Sequence, residues 1–216
     1  MSNTSLEILP TPQPVTAIES PLLPKLHRTG VWRERLELLL LIVLVFTVVN
    51  LATMRFFIEG PSMQPNFVAG QFLIVSRVNY LLGEPQRGEI VVFDAPGDDD
   101  HATNPLLIKR LIGIPGDHIR IERLTVDGET AVQVYVNNVL LDEPYINQDG
   151  IPFNCTQYCD LVLGPNQYFM MGDNRNHSND SRAFGPVDRE RIVGEAVIRY
   201  WPPSDWGLVT HIAYPG

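Results

Sequence analysis

Hydrophobic residues form one long run near the start of the chain and only short runs afterwards. The long run, LELLLLIVLVFTVVNLATMRFF, covers Leu36 to Phe57, and its only charged residues, Glu37 and Arg55, lie near its ends. As a helix this run would extend about 33 Å at 1.5 Å per residue, close to the roughly 30 Å hydrocarbon core of a bilayer. The pattern predicts a single transmembrane helix within residues 30–57.

A cleavable signal peptide is the competing interpretation of the same run. Its apolar region typically has about 7–15 residues and ends at a small-residue cleavage site. Here the run is longer and continues into MRFF, residues 54–57, which favours a retained anchor. Basic residues precede the run, whereas Arg55 is the only one just after it, so the positive-inside rule places the N-terminus in the cytoplasm. The preceding basic residues are Lys25, Arg28, Arg33 and Arg35.

The pattern changes on either side of the anchor. Residues 1–29 are polar and rich in proline without sustained periodicity, which predicts a disordered tail. After the anchor, short β-rich runs alternate with turn sequences such as GEPQRG and GIPGD, and no long helical periodicity appears. We therefore predict an all-β, mostly antiparallel domain over residues 58–201. Its strand-like runs are 72–77, 89–93, 106–112, 118–124, 132–136, 167–172 and 192–201.

The acidic charge balance narrows the possible functions. The 216 residues carry a formal net charge of −9, so no basic surface for nucleic acid is expected. Asp98-Asp99-Asp100 predicts a solvated loop, because no spacing typical of a calcium-binding loop accompanies it. The two cysteines, Cys155 and Cys159, lack the second ligand pair of a structural zinc site. They form either a small loop disulfide, which would indicate an oxidising compartment, or two free thiols.

The octapeptide IEGPSMQP directly after the anchor holds Ser62 between Pro61 and Pro65, which restrict the backbone. A linker turn is one interpretation, and a nucleophilic serine is the other. The elbow motif G-x-S-x-G is absent because Gln64 replaces its second glycine, which argues against an α/β-hydrolase. A nucleophilic serine would need a base and a donor for the oxyanion elsewhere in the chain.

A candidate base lies in the run LLIKRLI. Strand alternation places Lys109 on the same face as Leu107 and Leu111. It is either a surface lysine at a sheet edge, with its stem along apolar residues, or a buried amine. Burial would lower its pKa, and a decrease to about 8 would cost roughly 3 kcal/mol while creating a general base.

Acidic and basic residues alternate within MGDNRNHSNDSRAFGPV, residues 171–187. The alternating charges are interspersed with serines and asparagines that can hydrogen-bond to them. This composition predicts either a polar network that organises a site or an exposed charged loop. The charged residues concerned are Asp173, Arg175, Asp180 and Arg182.

Three motifs follow one another behind the anchor: Gly-x-Ser-Met-x-Pro, Lys-Arg-x-x-Gly-x-Pro-Gly-Asp and Gly-Asp-Asn-Arg-x-x-Ser-x-Asp-Ser-Arg. With GEIVVF at 88–93 as a fourth match, residues 36–201 resemble the bacterial type I signal (leader) peptidases. The resemblance implies coiled antiparallel sheets behind a single transmembrane helix. It also implies a catalytic core at about 58–112 and 166–201, a β insert at about 113–165 and a C-terminal tail at 202–216.

The resemblance also implies roles for individual residues. Ser62 matches the nucleophile and Lys109 the general base of a Ser/Lys dyad. Ser178 matches a serine that orients the lysine amine. Asp180 and Arg182 match a supporting ion pair, and Asp173 and Arg175 match further members of that network. Shallow apolar pockets for small residues at −1 and −3 of the substrate would be lined by Ile58, Met63, Phe67, Leu107 and Ile108.

A membrane-bound serine endopeptidase that removes signal peptides from exported preproteins is the function that the resemblance implies. Its partners would be those signal peptides and the lipid bilayer, and it would need no metal and no cofactor. The catalytic domain would lie on the extracytoplasmic side of a bacterial plasma membrane or a thylakoid-type membrane. The other functions considered are a self-cleaving Ser/Lys regulator of the repressor type and an anchored binding or scaffold module.

The sequence departs from the family pattern at several positions. Gly60 stands where some members carry a serine whose hydroxyl helps to hold the oxyanion. Glu59 is adjacent to a predicted pocket, and Asn176 and His177 replace a commoner Asp-Asn pair. His177 is also a rival general base for Ser62.

Overall fold

The computed structural model describes residues 28–97, 105–126, 129–146, 155 and 157–214. Nearly all of the predicted tail at 1–29 and the whole of Asp98–Asp100 lie outside these residues. The chain divides into two units, Met1–Leu44 and Val45–Gly216. The helices are α1 (Arg28–Ala52), α2 (Asn79–Leu82) and α3 (Ser181–Phe184). The strands are β1 (Thr53–Phe57), β2 (Phe72–Ser76), β3 (Ile90–Asp94), β4 (Leu106–Gly113), β5 (His118–Val126), β6 (Glu129–Val136), β7 (Val139–Leu140), β8 (Asp160–Val162), β9 (Gln167–Met171), β10 (Val187–Asp188), β11 (Ile192–Trp201) and β12 (Gly207–Leu208).

Helix α1 is long and apolar enough to cross a membrane over Val31–Ala52. Its apolar side chains are exposed along its length, as expected of a helix whose solvent is lipid. The helix ends five residues before the predicted end of the anchor, because Thr53–Phe57 is strand β1. This segment pairs antiparallel with β2 and buries Phe56 in the core, so strand pairing and burial outweigh a further helical turn.

An eight-stranded antiparallel sheet forms the larger part of the second unit. Its order is β1-β2-β11-β3-β4-β9-β10, and β12 pairs with β11. A four-stranded antiparallel sheet, β7-β6-β5-β8, lies between residues 118 and 162 of the sequence. All seven predicted runs form strands, and the prediction of a mostly antiparallel all-β domain behind one apolar helix is confirmed.

Apolar side chains from both sheets meet in one buried cluster. Ile112 and Phe169 come from the larger sheet, and Ile119 and Val134 come from the smaller one. Gly113 permits this close approach, because a Cβ there would lie 2.6 Å from Ile119 Cδ1. At one margin of the cluster Cys155 and Cys159 form a disulfide.

The predicted C-terminal tail packs against the domain in its described part. Gly207–Leu208 is strand β12, and the Val209 N–H donates to the Val197 carbonyl at 3.0 Å. Val209 also packs against the cluster that holds Met63 and Phe67. The described residues after residue 201 therefore belong to the domain.

Candidate active site

Ser62 and Lys109, 47 positions apart in the chain, meet at the edge of a buried cluster. Ser62 lies on the loop between β1 and β2, and Lys109 lies within the central strand β4. Lys109 Nζ is 2.7 Å from Ser62 Oγ and 2.9 Å from the Ile108 carbonyl oxygen. Hydrogen-bond distance between a nucleophile and its base is the geometry that nucleophilic catalysis requires.

The amine of Lys109 is buried, with 3% of the residue exposed. Burial disfavours the ammonium form and lowers the pKa of Lys109 to about 8, although the nearby carboxylates of Asp180 and Asp173 act in the opposite direction. The interpretation of Lys109 as a snorkelling surface lysine is therefore wrong. A large share of Lys109 is neutral near pH 8 and able to accept a proton.

The loop that carries Ser62 is fixed at both ends. The Ile58 N–H donates to the Gln71 carbonyl at 3.0 Å, and the Gly70 N–H donates to the Ile58 carbonyl at 2.9 Å. Near its centre the Asn174 N–H donates to the Ser62 carbonyl at 2.9 Å, while Met63 is fully buried. None of the hydrogen bonds among the described residues uses the Ser62 N–H, which leaves it available as a donor to an oxyanion.

Ser178 lies beside the backbone of the nucleophile. A Cβ added at Gly172 would come within 2.3 Å of Ser178 Oγ and 2.5 Å of the Ser62 carbonyl oxygen, so all three residues are in close contact. Ser178 Oγ is buried, and the Ser178 side chain helps to lower the pKa of Asp180 by hydrogen bonding. Ser178 therefore lies between the backbone of Ser62 and the Asp180 carboxylate.

Asp180 and Arg182 form the ion pair that the sequence predicts. Arg182 Nε and Nη2 donate to the two Asp180 carboxylate oxygens, each at 2.7 Å, and Asp180 has no exposed surface. The Gly172 N–H also donates to Asp180 at 2.9 Å. Burial raises the pKa of Asp180, but its hydrogen bonds and the charge of Arg182 outweigh burial and hold this pKa below its ordinary value. Asp180 is therefore a carboxylate and fixes the strand end beside Ser62.

Asp173 and Arg175 belong to the network but do not pair with each other. Asp173 accepts two hydrogen bonds from Arg110, both at 2.8 Å, whereas Arg175 pairs with Glu143. Asn66 also donates to Asp173 at 2.8 Å. Sequence reasoning missed Arg110, Asn66 and Glu143 as partners. The only local signal was the position of Arg110 directly after the predicted base.

Four of the five predicted pocket residues share one buried cluster: Ile58, Met63, Phe67 and Ile108. Leu107 packs instead against the cluster of Tyr80 and Phe93. The reason is strand alternation, because neighbouring residues of β4 direct their side chains to opposite faces of the sheet. The packing therefore separates Leu107 from the other four.

The positions that depart from the family pattern lie on the surface. Gly60 and Glu59 are exposed, and a Cβ at Gly60 would have no atom within 4 Å. His177 is exposed, and its Nδ1 is 3.3 Å from Asn174 Oδ1. Among the described residues, the hydrogen bond to Ser62 Oγ comes from Lys109 and not from His177.

Comparisons with known proteins find signal peptidases. Residues 32–201 match the family model described as signal peptidase, peptidase S26. The chain is 39% identical over 156 residues to the probable signal peptidase I-2 of Synechocystis sp. (strain PCC 6803), covering 71% of this chain and 66% of that protein. It is 34% identical over 178 residues to signal peptidase IB of Staphylococcus aureus (strain COL), covering 76% and 86% of the two chains. A crystal structure of a signal peptidase I from Enterococcus faecalis V583 matches with 29% identity and a TM-score of 0.37, over 52% of this chain and 97% of that one.

Proposed function

This chain belongs to the S26 signal peptidase family, and we propose that it is a membrane-anchored serine endopeptidase that cleaves signal peptides from exported preproteins. The observation that carries the proposal is the 2.7 Å contact between Ser62 Oγ and the buried amine of Lys109. Burying an amine next to a serine hydroxyl lowers stability, which a scaffold module would have no reason to accept.

Acylation begins with neutral Lys109. Its amine accepts the Ser62 hydroxyl proton while Oγ forms a bond to the scissile carbonyl carbon. The resulting oxyanion accepts a hydrogen bond from the Ser62 N–H, and its charge is stabilised by that fixed donor. The Lys109 ammonium then donates its proton to the departing amine as the C–N bond breaks, which leaves an acyl-enzyme and releases the mature protein.

Deacylation repeats the same proton transfers with water. Lys109, again neutral, takes a proton from a water molecule as its oxygen attacks the ester carbonyl. The ammonium returns the proton to Ser62 Oγ as the ester bond breaks, which frees the signal peptide. Ser178, which matches the family's orienting serine and is buried beside Ser62, is assigned to orient the Lys109 amine during both steps.

Substrate selection follows from the apolar cluster beside the dyad. Ile58, Met63, Phe67 and Ile108 are each at most 5% exposed, and we assign them to the floor of a shallow substrate site. A shallow floor accepts small side chains and excludes large ones, which explains a preference for alanine-like residues at −1 and −3.

The apolar helix α1 anchors the domain, with the N-terminus on the cytoplasmic side and Ser62 on the extracytoplasmic side, shortly after the helix end.

The proposal is tested with the full chain in detergent or lipid and a preprotein that carries an A-x-A site. We expect the wild type to cut after the second alanine, Ser62→Ala to leave the preprotein intact, and EDTA to leave the rate unchanged. Ser76→Ala is the matched control, because its hydroxyl bonds to Asn79 away from the dyad. Equal cleavage by the wild type and Ser62→Ala, or no cleavage by either, would contradict the assignment.

A further inference from the structure

The segment 209–214, here called the C-terminal strap, lies against Gly88, whose N–H donates to Leu111 of the strand that carries the proposed base. Its Ile212 carbonyl lies so close to Gly88 that a Cβ there would be 1.8 Å away, and Gly88 has a φ of +90°. The Gly88 carbonyl in turn accepts a hydrogen bond from Arg110 at 3.0 Å. The strap therefore contacts Gly88, and Gly88 contacts Arg110, which directly follows Lys109 in the sequence.

The strap ends in a hydroxyl contact with Tyr145. The hydroxyl groups of Tyr214 and Tyr145 hydrogen-bond to each other. The Tyr145 hydroxyl also lies 2.7 Å from a Glu143 carboxylate oxygen and 3.3 Å from Arg175 Nη2. Tyr145 is 7% exposed, so this cluster is enclosed and its geometry is fixed by packing.

The ring and backbone of Tyr145 contact the supports of both proposed catalytic residues. The Arg110 guanidinium lies 3.9 Å from the centre of the Tyr145 ring, which is a close cation–π distance. Asn66 donates to the Tyr145 carbonyl and to Asp173, both at 2.8 Å. Arg110 follows Lys109 directly in β4, and Asn66 lies on the same loop as Ser62.

We propose that Tyr145, held by Tyr214 of the C-terminal strap, is a positioning residue that fixes the loop of Ser62 relative to Lys109. This inference rests on the proposed function, because it assigns a role in the reaction of that dyad. Tyr145 touches neither Ser62 nor Lys109 through a described hydrogen bond. It acts through Asn66 on one side and Arg110 on the other, with Asp173 joining the two.

The four-stranded sheet supplies a matched control for the same type of contact. The Arg120 guanidinium lies 4.3 Å from the centre of the Tyr135 ring, and the Tyr135 hydroxyl donates to Gln133 at 2.6 Å. Tyr135→Leu therefore removes a comparable ring from a comparable arginine without contact with the site. Any loss that it shares with Tyr145→Leu reflects folding, and any loss unique to Tyr145→Leu reflects positioning.

The first experiment compares kcat and KM, per folded molecule, for Tyr145→Leu and Tyr135→Leu in the full chain. Small displacements of reacting groups lower rates by up to about 100-fold, so we expect kcat of Tyr145→Leu to fall roughly tenfold or more with KM nearly unchanged. Tyr145→Phe, which keeps the ring over Arg110, should recover part of this loss. Tyr135→Leu should retain the wild-type kcat, even if its midpoint of thermal unfolding falls by as much as that of Tyr145→Leu.

The second experiment tests the strap itself. Tyr214→Phe removes one hydroxyl, and Tyr145→Phe removes its partner. Because both changes break the same bond, the double variant should be no slower than Tyr145→Phe alone, whereas independent effects would multiply. We expect Tyr214→Phe to lower kcat by roughly two- to fivefold, since it removes a single buried hydrogen bond.

The outcomes separate this inference from the proposed function. An inactive wild type would overturn the proposed function and the inference with it. An active wild type with an inactive Ser62→Ala, combined with wild-type kcat in Tyr145→Leu and Tyr214→Phe, would overturn the inference alone. Equal kcat losses in Tyr145→Leu and Tyr135→Leu would also overturn it, because the effect would then be a general effect on folding.

Discussion

Both sheets carry charged side chains, but these side chains differ in how far they are exposed to solvent. In β4 of the eight-stranded sheet, Lys109 and Arg110 are each 3% exposed, and their side chains hydrogen-bond to Ser62 and Asp173, respectively. In β5 of the four-stranded sheet, Arg120 and Glu122 pair at the surface with 27% and 37% of their side chains exposed. Both strands are interior to their sheets, so position in the sheet does not explain the difference. The cover does, since Lys109 of β4 lies against the loop of Ser62 and near Asp180.

This difference in exposure indicates which part of the molecule carries the proposed function. An exposed pair keeps its water and contributes little to stability, so its residues can be exchanged freely. A buried charge must be paired, and a buried amine has its proton affinity changed. The chain buries charged groups at β4 and at residues 173–182, where the proposed chemistry needs a neutral amine and fixed neighbours. Elsewhere it buries Asp117 and Glu195, each in an ion pair.

The largest expected contrast comes from removing the base. Lys109→Ala should lower the rate of preprotein cleavage by roughly 10³- to 10⁴-fold, because a general base and its contact with the nucleophile are both lost. His177→Ala should retain nearly full activity, since His177 is exposed and Lys109 occupies the position next to Ser62 Oγ. Cleavage rates of the two purified variants measure this contrast. Substantial activity in Lys109→Ala would refute the dyad.

A smaller contrast is expected between two aspartates. Asp180→Asn removes the carboxylate charge that accepts two hydrogen bonds from Arg182 and one from the Gly172 N–H. This loss should lower the free energy of unfolding by about 3–5 kcal/mol and cleavage by roughly 10- to 100-fold. Asp160→Asn, at an exposed pair with His118, should change both quantities little. Chemical denaturation and cleavage rates of the two variants test the comparison. Equal effects at both positions would mean that burial of the pair has no bearing on the site.

The smallest expected effect concerns the surface pair of β5. Arg120→Ala should change the free energy of unfolding by less than about 1 kcal/mol and leave kcat unchanged, since exposed pairs contribute about 0–1 kcal/mol. Thermal unfolding at low and high salt checks this expectation. A loss of activity would show that the four-stranded sheet communicates with the dyad.

The longer strands could be predicted from the sequence because each carries enough β-rich residues between turn signals. The strands that were missed, such as β7, β10 and β12, are two residues long and exist only because a longer neighbour pairs with them. The end of α1 was predicted too late for the same reason. MRFF is apolar enough to continue a membrane span, but its pairing with β2 is a tertiary contact with no local signal.

The site was predictable wherever residues of one role lie in one motif. Asp180 and Arg182 are two positions apart, and their pairing follows from the motif. Asp173 pairs with Arg110 across 63 positions and Arg175 with Glu143 across 32, and neither partner could be read from spacing. Leu107 and Ile108 were grouped by the resemblance to the family, whereas their side chains pack into different clusters because adjacent strand residues face opposite ways.

The central claim is that neutral Lys109 activates Ser62, and the pH dependence of kcat/KM tests it most directly. The pKa of Lys109 in the folded protein is lowered by burial from 10.5 to about 8, so the neutral fraction falls tenfold per pH unit below that value and is nearly complete above it. The free-enzyme base governs kcat/KM. We therefore expect kcat/KM for a preprotein to rise with pH, with an apparent pKa near 8, and then to level off. A limb near 6.5, where an unperturbed histidine titrates, or a profile without any limb, would contradict the account.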